Sequence, residues 1–210
     1  MSLALKDAEA VARALVENLA PPCWRIEVAG SIRRQRPLVN DIDLVAIPRF
    51  TSKWSMFAPR LVEDTDFASA LHDLLDVEAS GEKIIRGKIR MDFGAVLIPA
   101  VAGLLAVSLD VYIATLETWA LLLLIRTGSA EHNIWLAQRA KACGGRLHAD
   151  GSGLDMPGQY DAVAQRTVNC VRIRAISEDE VFKALGVPTP APEKRECMDG
   201  RPIWLPGEAA

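Results

Sequence analysis

Apolar residues at Ala8, Val11, Ala12, Leu15 and Leu19 recur at the spacing of a single helical face. They predict a helix over residues 4–20, ended by Pro21-Pro22. From Arg25 to Ala29 the pattern switches to alternation, which predicts a short strand running into Gly30-Ser31. Asp41 to Ile47 alternates in the same way and is closed by Pro48. Asp66 to Leu75 reads as a second amphipathic helix, and residues 77–80, 82–90 and 107–114 read as further strands. Helix, two strands, helix and more strands predict one sheet layered with helices, an α+β arrangement.

The second half changes character. Glu117 to Arg126 is apolar and helical, and Ala130 to Cys143 forms another helix with Ser129 as its cap and Gly144-Gly145 beyond its end. Thr167 to Ala175 alternates like a strand, and Ser177-x-x-Glu180 is a capping box opening a helix through Leu185. These changes put a boundary near residue 117, between a sheet-bearing domain (1–116) and a smaller α+β domain (117–210). The longest apolar run, Ala95 to Leu109, contains Pro99 and Gly103. It falls short of the roughly 18 residues that a membrane span needs. Core segments joined by a turn, and no membrane association, are expected.

Composition sharpens the class. Half of the 210 residues are hydrophobic and 24% are charged, which excludes wholesale disorder. Cys23, Cys143, Cys170 and Cys197 lie far apart without a C-x-x-C pair, so reduced thiols in a cytoplasmic protein are expected. Asp7 and Glu9 stand where a secretory leader would be basic and then apolar. A net charge of −3 argues at first sight against a nucleic-acid partner. Its distribution argues the other way: residues 24–60 hold seven Lys/Arg against three Asp/Glu, while 61–80 hold six acids and no base. Any such binding should be weak and salt-sensitive.

The basic stretch contains the candidate chemistry. Asp41 and Asp43 lie two apart on a strand and so project from one face, about 6.6 Å apart. Carboxylates so aligned repel unless a cation lies between them, and hard oxygen ligands suit Mg²⁺. Edge-strand charge placed against aggregation is the bland alternative. In Ser108-Leu-Asp-Val-Tyr-Ile113, alternation puts Leu109, Val111 and Ile113 on one face and Asp110 on the other. Ahead of the aspartates, Gly30-Ser31-Ile-Arg33-Arg34 offers backbone amides, a hydroxyl and two guanidinium groups suited to phosphate oxygens.

Taken together, Gly30-Ser31-x-Arg33-Arg34, Asp41-x-Asp43 and the distant Asp110 resemble the nucleotidyltransferase signature of family X DNA polymerases, the relatives of DNA polymerase beta. Thr127-Gly128-Ser129 with Asn133 is similar to the motif opening that family's thumb. Residues 180–188 and 192–196 are similar to its C-terminal block. The resemblance covers about residues 8–196. It implies a nucleotidyltransferase palm with a mixed β-sheet and flanking helices, followed by a small α+β thumb. It also implies DNA-directed addition of dNMP from dNTP to a primer 3′-hydroxyl with release of pyrophosphate, in gap-filling repair. Asp41, Asp43 and Asp110 would hold two Mg²⁺ ions, with Mn²⁺ as a substitute, and Asp110 would also be placed to accept the hydroxyl proton. Gly30, Ser31 and Arg34 would grip the triphosphate, Gly128 and Ser129 would line the nucleotide site, and Asn133 would reach the base. The expected partners are primer-template or gapped DNA and dNTP, with the chain a monomer. The layout resembles the minimal palm-and-thumb members found among viruses, with no helix-hairpin-helix or lyase segment expected; a bacterial or phage source fits as well.

Three positions depart from the family pattern. Ile125-Arg126 replace the aromatic pair or His-Phe that helps to exclude ribonucleotides, Ala137 replaces a basic residue, and Ser108 stands where arginine is common. Low fidelity and open sugar selection follow as expectations. The rival readings are a template-independent or non-DNA nucleotidyltransferase, and a catalytically silent DNA-binding module. The five tryptophans are expected mostly in cores, Trp135 packing rather than stacking on a base. His132 receives no role, and His72 and His148 have no ligand-spaced partners.

Overall fold

A computed structural model describes residues 2–54, 59–63, 65–90, 107–158, 160–161, 166–167 and 170–205. Residues 95–106 of the long apolar run lie outside it. The chain divides into two compact units, Met1–Ala114 and Thr115–Ala210.

In the first unit the elements run β1 (Leu3–Ala4), α1 (Leu5–Leu19), β2 (Cys23–Val28), α2 (Gly30–Arg33), β3 (Leu38–Val39) and β4 (Asp41–Pro48). They continue as β5 (Phe50–Trp54), β6 (Pro59–Glu63), α3 (Thr65–Leu74), β7 (Leu75–Ser80), β8 (Ile84–Ile89) and β9 (Ser108–Ile113). Five strands form a mixed sheet in the order β2-β4-β9-β8-β7. Only the central pair, β4 and β9, is parallel; the other neighbours are antiparallel. The stripe predicted on α1 is buried throughout, and with Phe67, Leu71 and Leu74 of α3 it covers Ile42, Leu44, Leu109 and Val111 of the central strands. Alternation fades in the second half of β4, where Val45 and Ile47 on the opposite face are buried as well. A central strand with both faces covered has no use for polar positions there.

The second unit is α+β too. It contains α4 (Trp119–Thr127), α5 (Ala130–Ala142), β10 (Arg146–Leu147), β11 (Leu154–Pro157), β12 (Tyr160–Asp161), β13 (Arg166–Thr167), β14 (Cys170–Ile173) and α6 (Glu178–Ala184). A 3₁₀ turn at Pro192–Lys194 and a hairpin of β15 (Cys197–Met198) and β16 (Arg201–Pro202) follow. Strands β10, β11 and β14 form a three-stranded antiparallel sheet. Within the strand predicted over 167–175, Thr167 belongs to β13 and Cys170–Ile173 forms β14, while residues 168–169 lie outside the described residues. Helix α4 is apolar all round because nearly every residue of it is buried. Ser177 Oγ caps α6 by accepting the Glu180 N–H, while the Glu180 carboxylate accepts from the Ile176 N–H rather than from Ser177.

Trp24 departs from the expectation that the tryptophans lie mostly in cores. Trp24 is 69% exposed, its ring lying under the Arg49 guanidinium at 5.2 Å. His132 is fully buried, its ring 6.1 Å from Phe182 and 6.3 Å from Trp204. Trp135 packs edge-on against Trp204 at 5.5 Å, as expected of a packing residue.

Arg195 ties this unit together. It is 2% exposed, and its guanidinium makes a two-pronged ion pair with Glu178 at 2.5 and 3.1 Å above the Phe182 ring. Breaking a buried pair from one side strands the other charge. Glu178→Ala should therefore destabilise the second unit by about 3–5 kcal/mol in urea unfolding. A loss under 1 kcal/mol would show that Arg195 finds water instead.

Candidate functional site

Strand pairing places the carboxylates. Asp43 lies directly opposite Asp110 across the parallel β4–β9 pair, and Asp41 lies opposite Ser108. Opposed residues project to the same face, as do residues two apart. Asp41, Asp43 and Asp110 therefore share the face turned away from α1 and α3. Asp41 is exposed, Asp43 half-buried and Asp110 buried.

A buried carboxylate requires donors. Arg86 supplies two, from Nε to Oδ1 at 2.7 Å and from a terminal nitrogen to Oδ2 at 2.5 Å. The Tyr112 hydroxyl donates to Oδ2 at 3.2 Å. Arg86 stands on β8 opposite Asp110, so it shares that face. Hydrogen bonding to Asp110, and next the aspartate's charge, push the guanidinium further above its ordinary value. Alternation along the strand already places Tyr112 on the face of Asp110, whereas nothing in the sequence marks Arg86.

Beside Asp43, the chain leaves β2 through Gly30, whose φ of +59° is left-handed. A Cβ there would collide with the Asp43 carboxylate. Glycine is needed because the metal-ligand candidate itself packs against the Cα, a sharper reason than room for a phosphate. Ser31 follows, with Oγ buried and without a hydrogen-bond partner among the described residues. The Arg33 N–H donates to Ala29 O and the Arg34 N–H to Gly30 O, both at 3.2 Å, folding the two arginines of the motif into one turn.

Gly128, Ser129 and Asn133 gather in the second unit. Ser129 Oγ caps α5 by accepting the His132 N–H, and the Ser129 N–H donates to Arg195 O at 3.1 Å. Asn133 Nδ2 donates to Ile125 O at 2.7 Å and to Gly128 O at 3.4 Å, while its Oδ1 is buried without a partner among the described residues. A Cβ on Gly128 would lie 2.7 Å from that Oδ1. The motif thus closes tightly on Asn133.

Among the described residues, no three His, Cys, Asp or Glu side chains are gathered closely enough to hold a metal ion as they stand. Asp41, Asp43 and Asp110 share a face without converging, and both oxygens of Asp110 are engaged by Arg86.

Residues 122–196 match the family model described as DNA polymerase beta thumb. Over those residues the chain resembles a polymerase beta thumb. Its fold as a whole is also similar to two crystal structures of polymerase beta from Leishmania infantum, a ternary gap complex and a ternary P/T complex. Each has 21% identity and a TM-score of 0.66; the matches cover 93% and 94% of this chain and 71% and 77% of the other. At that identity the likeness is one of fold. The sequence has no significant match among curated proteins. The expected α+β fold, similar to that of the polymerase beta structures, is therefore present. Among the described residues, no helix is long and apolar enough to cross a membrane.

Gly30→Ala should cost at least about 1–2 kcal/mol from left-handed strain alone, and more from displacing Asp43. Urea unfolding measures this. A neutral result would show that the turn can relax without disturbing the carboxylate.

Proposed function

We propose that this protein is a DNA-directed DNA polymerase of the family X type that adds dNMP from dNTP to a primer 3′-hydroxyl, releases pyrophosphate and fills gaps in DNA. The observation that carries the reading is the placement of Asp43 opposite Asp110, next to a left-handed Gly30 and a buried, unpartnered Ser31 Oγ. A buried hydroxyl without a partner costs about 1–3 kcal/mol, and an incoming phosphate oxygen would satisfy it. The thumb match, and a fold shared with polymerase beta structures solved as gap and P/T complexes, support DNA as the partner.

The donor set fits divalent magnesium, since all three side chains offer hard carboxylate oxygens on one face of the sheet. Asp41, Asp43 and Asp110 would hold a pair of Mg²⁺ ions, for which Mn²⁺ is a substitute. Held there, they would supply a lowered pKa at the primer hydroxyl and neutralising charge for the triphosphate and leaving pyrophosphate. Ser31 and Arg34 grip the triphosphate by charge-assisted hydrogen bonds. In the thumb, the free Oδ1 of Asn133 is an acceptor, so contact with a base acceptor requires its amide to rotate away from Ile125 O.

Magnesium-dependent primer extension tests the reading, with gapped duplex compared against single-stranded primer. Templated filling of the gap is expected. Addition without a template would favour the template-independent reading, and DNA binding without incorporation the silent module. Asp110→Ala should lower turnover by about a thousandfold or more, about 4 kcal/mol of barrier, with DNA affinity held within about twofold because the carboxylate is buried. Wild-type turnover in that variant would refute the site.

A further inference from the structure

We propose that Arg86 is the positioning residue of this site: it selects which oxygen of Asp110 faces a divalent cation and holds the carboxylate until that cation arrives. The inference rests on the polymerase reading for its catalytic consequence and on the geometry alone for the cation.

A carboxylate has about four lone-pair directions, two on each oxygen. Oδ2 of Asp110 accepts from both Arg86 and Tyr112, so its directions are taken. Oδ1 accepts from Arg86 Nε and keeps one direction open. Asp110 can thus give one oxygen to a cation without releasing any protein donor. Oδ1 is that oxygen. The planar fork of arginine fixes both oxygens at once, which a lysine could not do.

No other cation among the described neighbours fills this place. Ser108, two residues away on the same face of β9, carries no charge. Lys88, paired opposite Ser108 on β8, makes an ion pair with Glu78 at 3.3 Å. The guanidinium therefore reaches Asp110 from the neighbouring strand. With its side chain 51% exposed against 8% for Asp110, Arg86 closes the solvent side of the carboxylate.

The same charge has a cost for metal binding. Arg86 is charged at any working pH, and a fixed positive charge beside a ligand opposes a metal cation by simple Coulomb repulsion. Arg86 thereby trades metal affinity for a defined carboxylate orientation.

Calorimetric titration of the DNA-free full chain with Mn²⁺, alongside single-turnover incorporation at saturating metal, tests this. Arg86→Met removes both charge and fork; Arg86→Lys keeps the charge and loses the fork. Arg86→Met should bind Mn²⁺ about three- to tenfold more tightly, while its incorporation rate falls about tenfold or more and the apparent Kd for dNTP stays within about twofold. Arg86→Lys should keep wild-type Mn²⁺ affinity and lose rate to a similar extent. Unchanged or weaker Mn²⁺ binding by a folded Arg86→Met protein would overturn the proposal, as would an unchanged rate in both variants. If Arg86→Met does not fold, the rate in Arg86→Lys decides. Should the wild-type protein incorporate nothing, the polymerase reading fails while the Mn²⁺ titrations still decide the role of Arg86.

Discussion

The parallel pairing of β4 with β9 is the constraint on which the rest of the site depends. It sets Asp43 opposite Asp110, and on the reverse face it sets Ile42 opposite Leu109 and Leu44 opposite Val111. Those four apolar side chains have no exposed surface. A slip of one residue would turn them out of the core and drive the carboxylates into it. The register of the acids is therefore enforced by hydrophobic burial on the other side of the sheet. Asp110 is tolerated at its depth because the neighbouring strand delivers Arg86 to it.

Both units keep a buried polar atom without a partner among the described residues, at a residue proposed for nucleotide binding: Ser31 Oγ in the first and Asn133 Oδ1 in the second. Each sits beside a glycine that admits no side chain, with Asp43 packed on Gly30 and Asn133 on Gly128. Unsatisfied groups of this kind destabilise the free protein and become favourable when a ligand completes them. The glycines serve the protein's own close packing first, and what space remains for a ligand follows from it.

Local patterns were legible in the sequence. The stripe of α1 emerged as read, as did the caps at Ser129 and Ser177 and the alternation of β9, because each depends on residues within one or two turns. The Asp41-x-Asp43 pair and the Gly30-Ser31 turn were legible for the same reason. Features that depend on which strands lie side by side were not. Arg86 looks like an ordinary polar position of an alternating strand until β8 is laid against β9, and only then does it meet Asp110. Burial of His132 depends likewise on Phe182 and Trp204, some fifty to seventy residues further along the chain. Exposure of Trp24 follows from the edge position of β2, which composition cannot reveal.

Anomalous diffraction from crystals grown with gapped DNA, a non-hydrolysable dNTP and Mn²⁺ tests the central claim most directly. Manganese peaks bound by Asp41, Asp43 and Asp110 are expected, with Asp110 contributing Oδ1 and the triphosphate resting on Ser31. Manganese bound elsewhere, or a triphosphate remote from Gly30-Ser31, would contradict it.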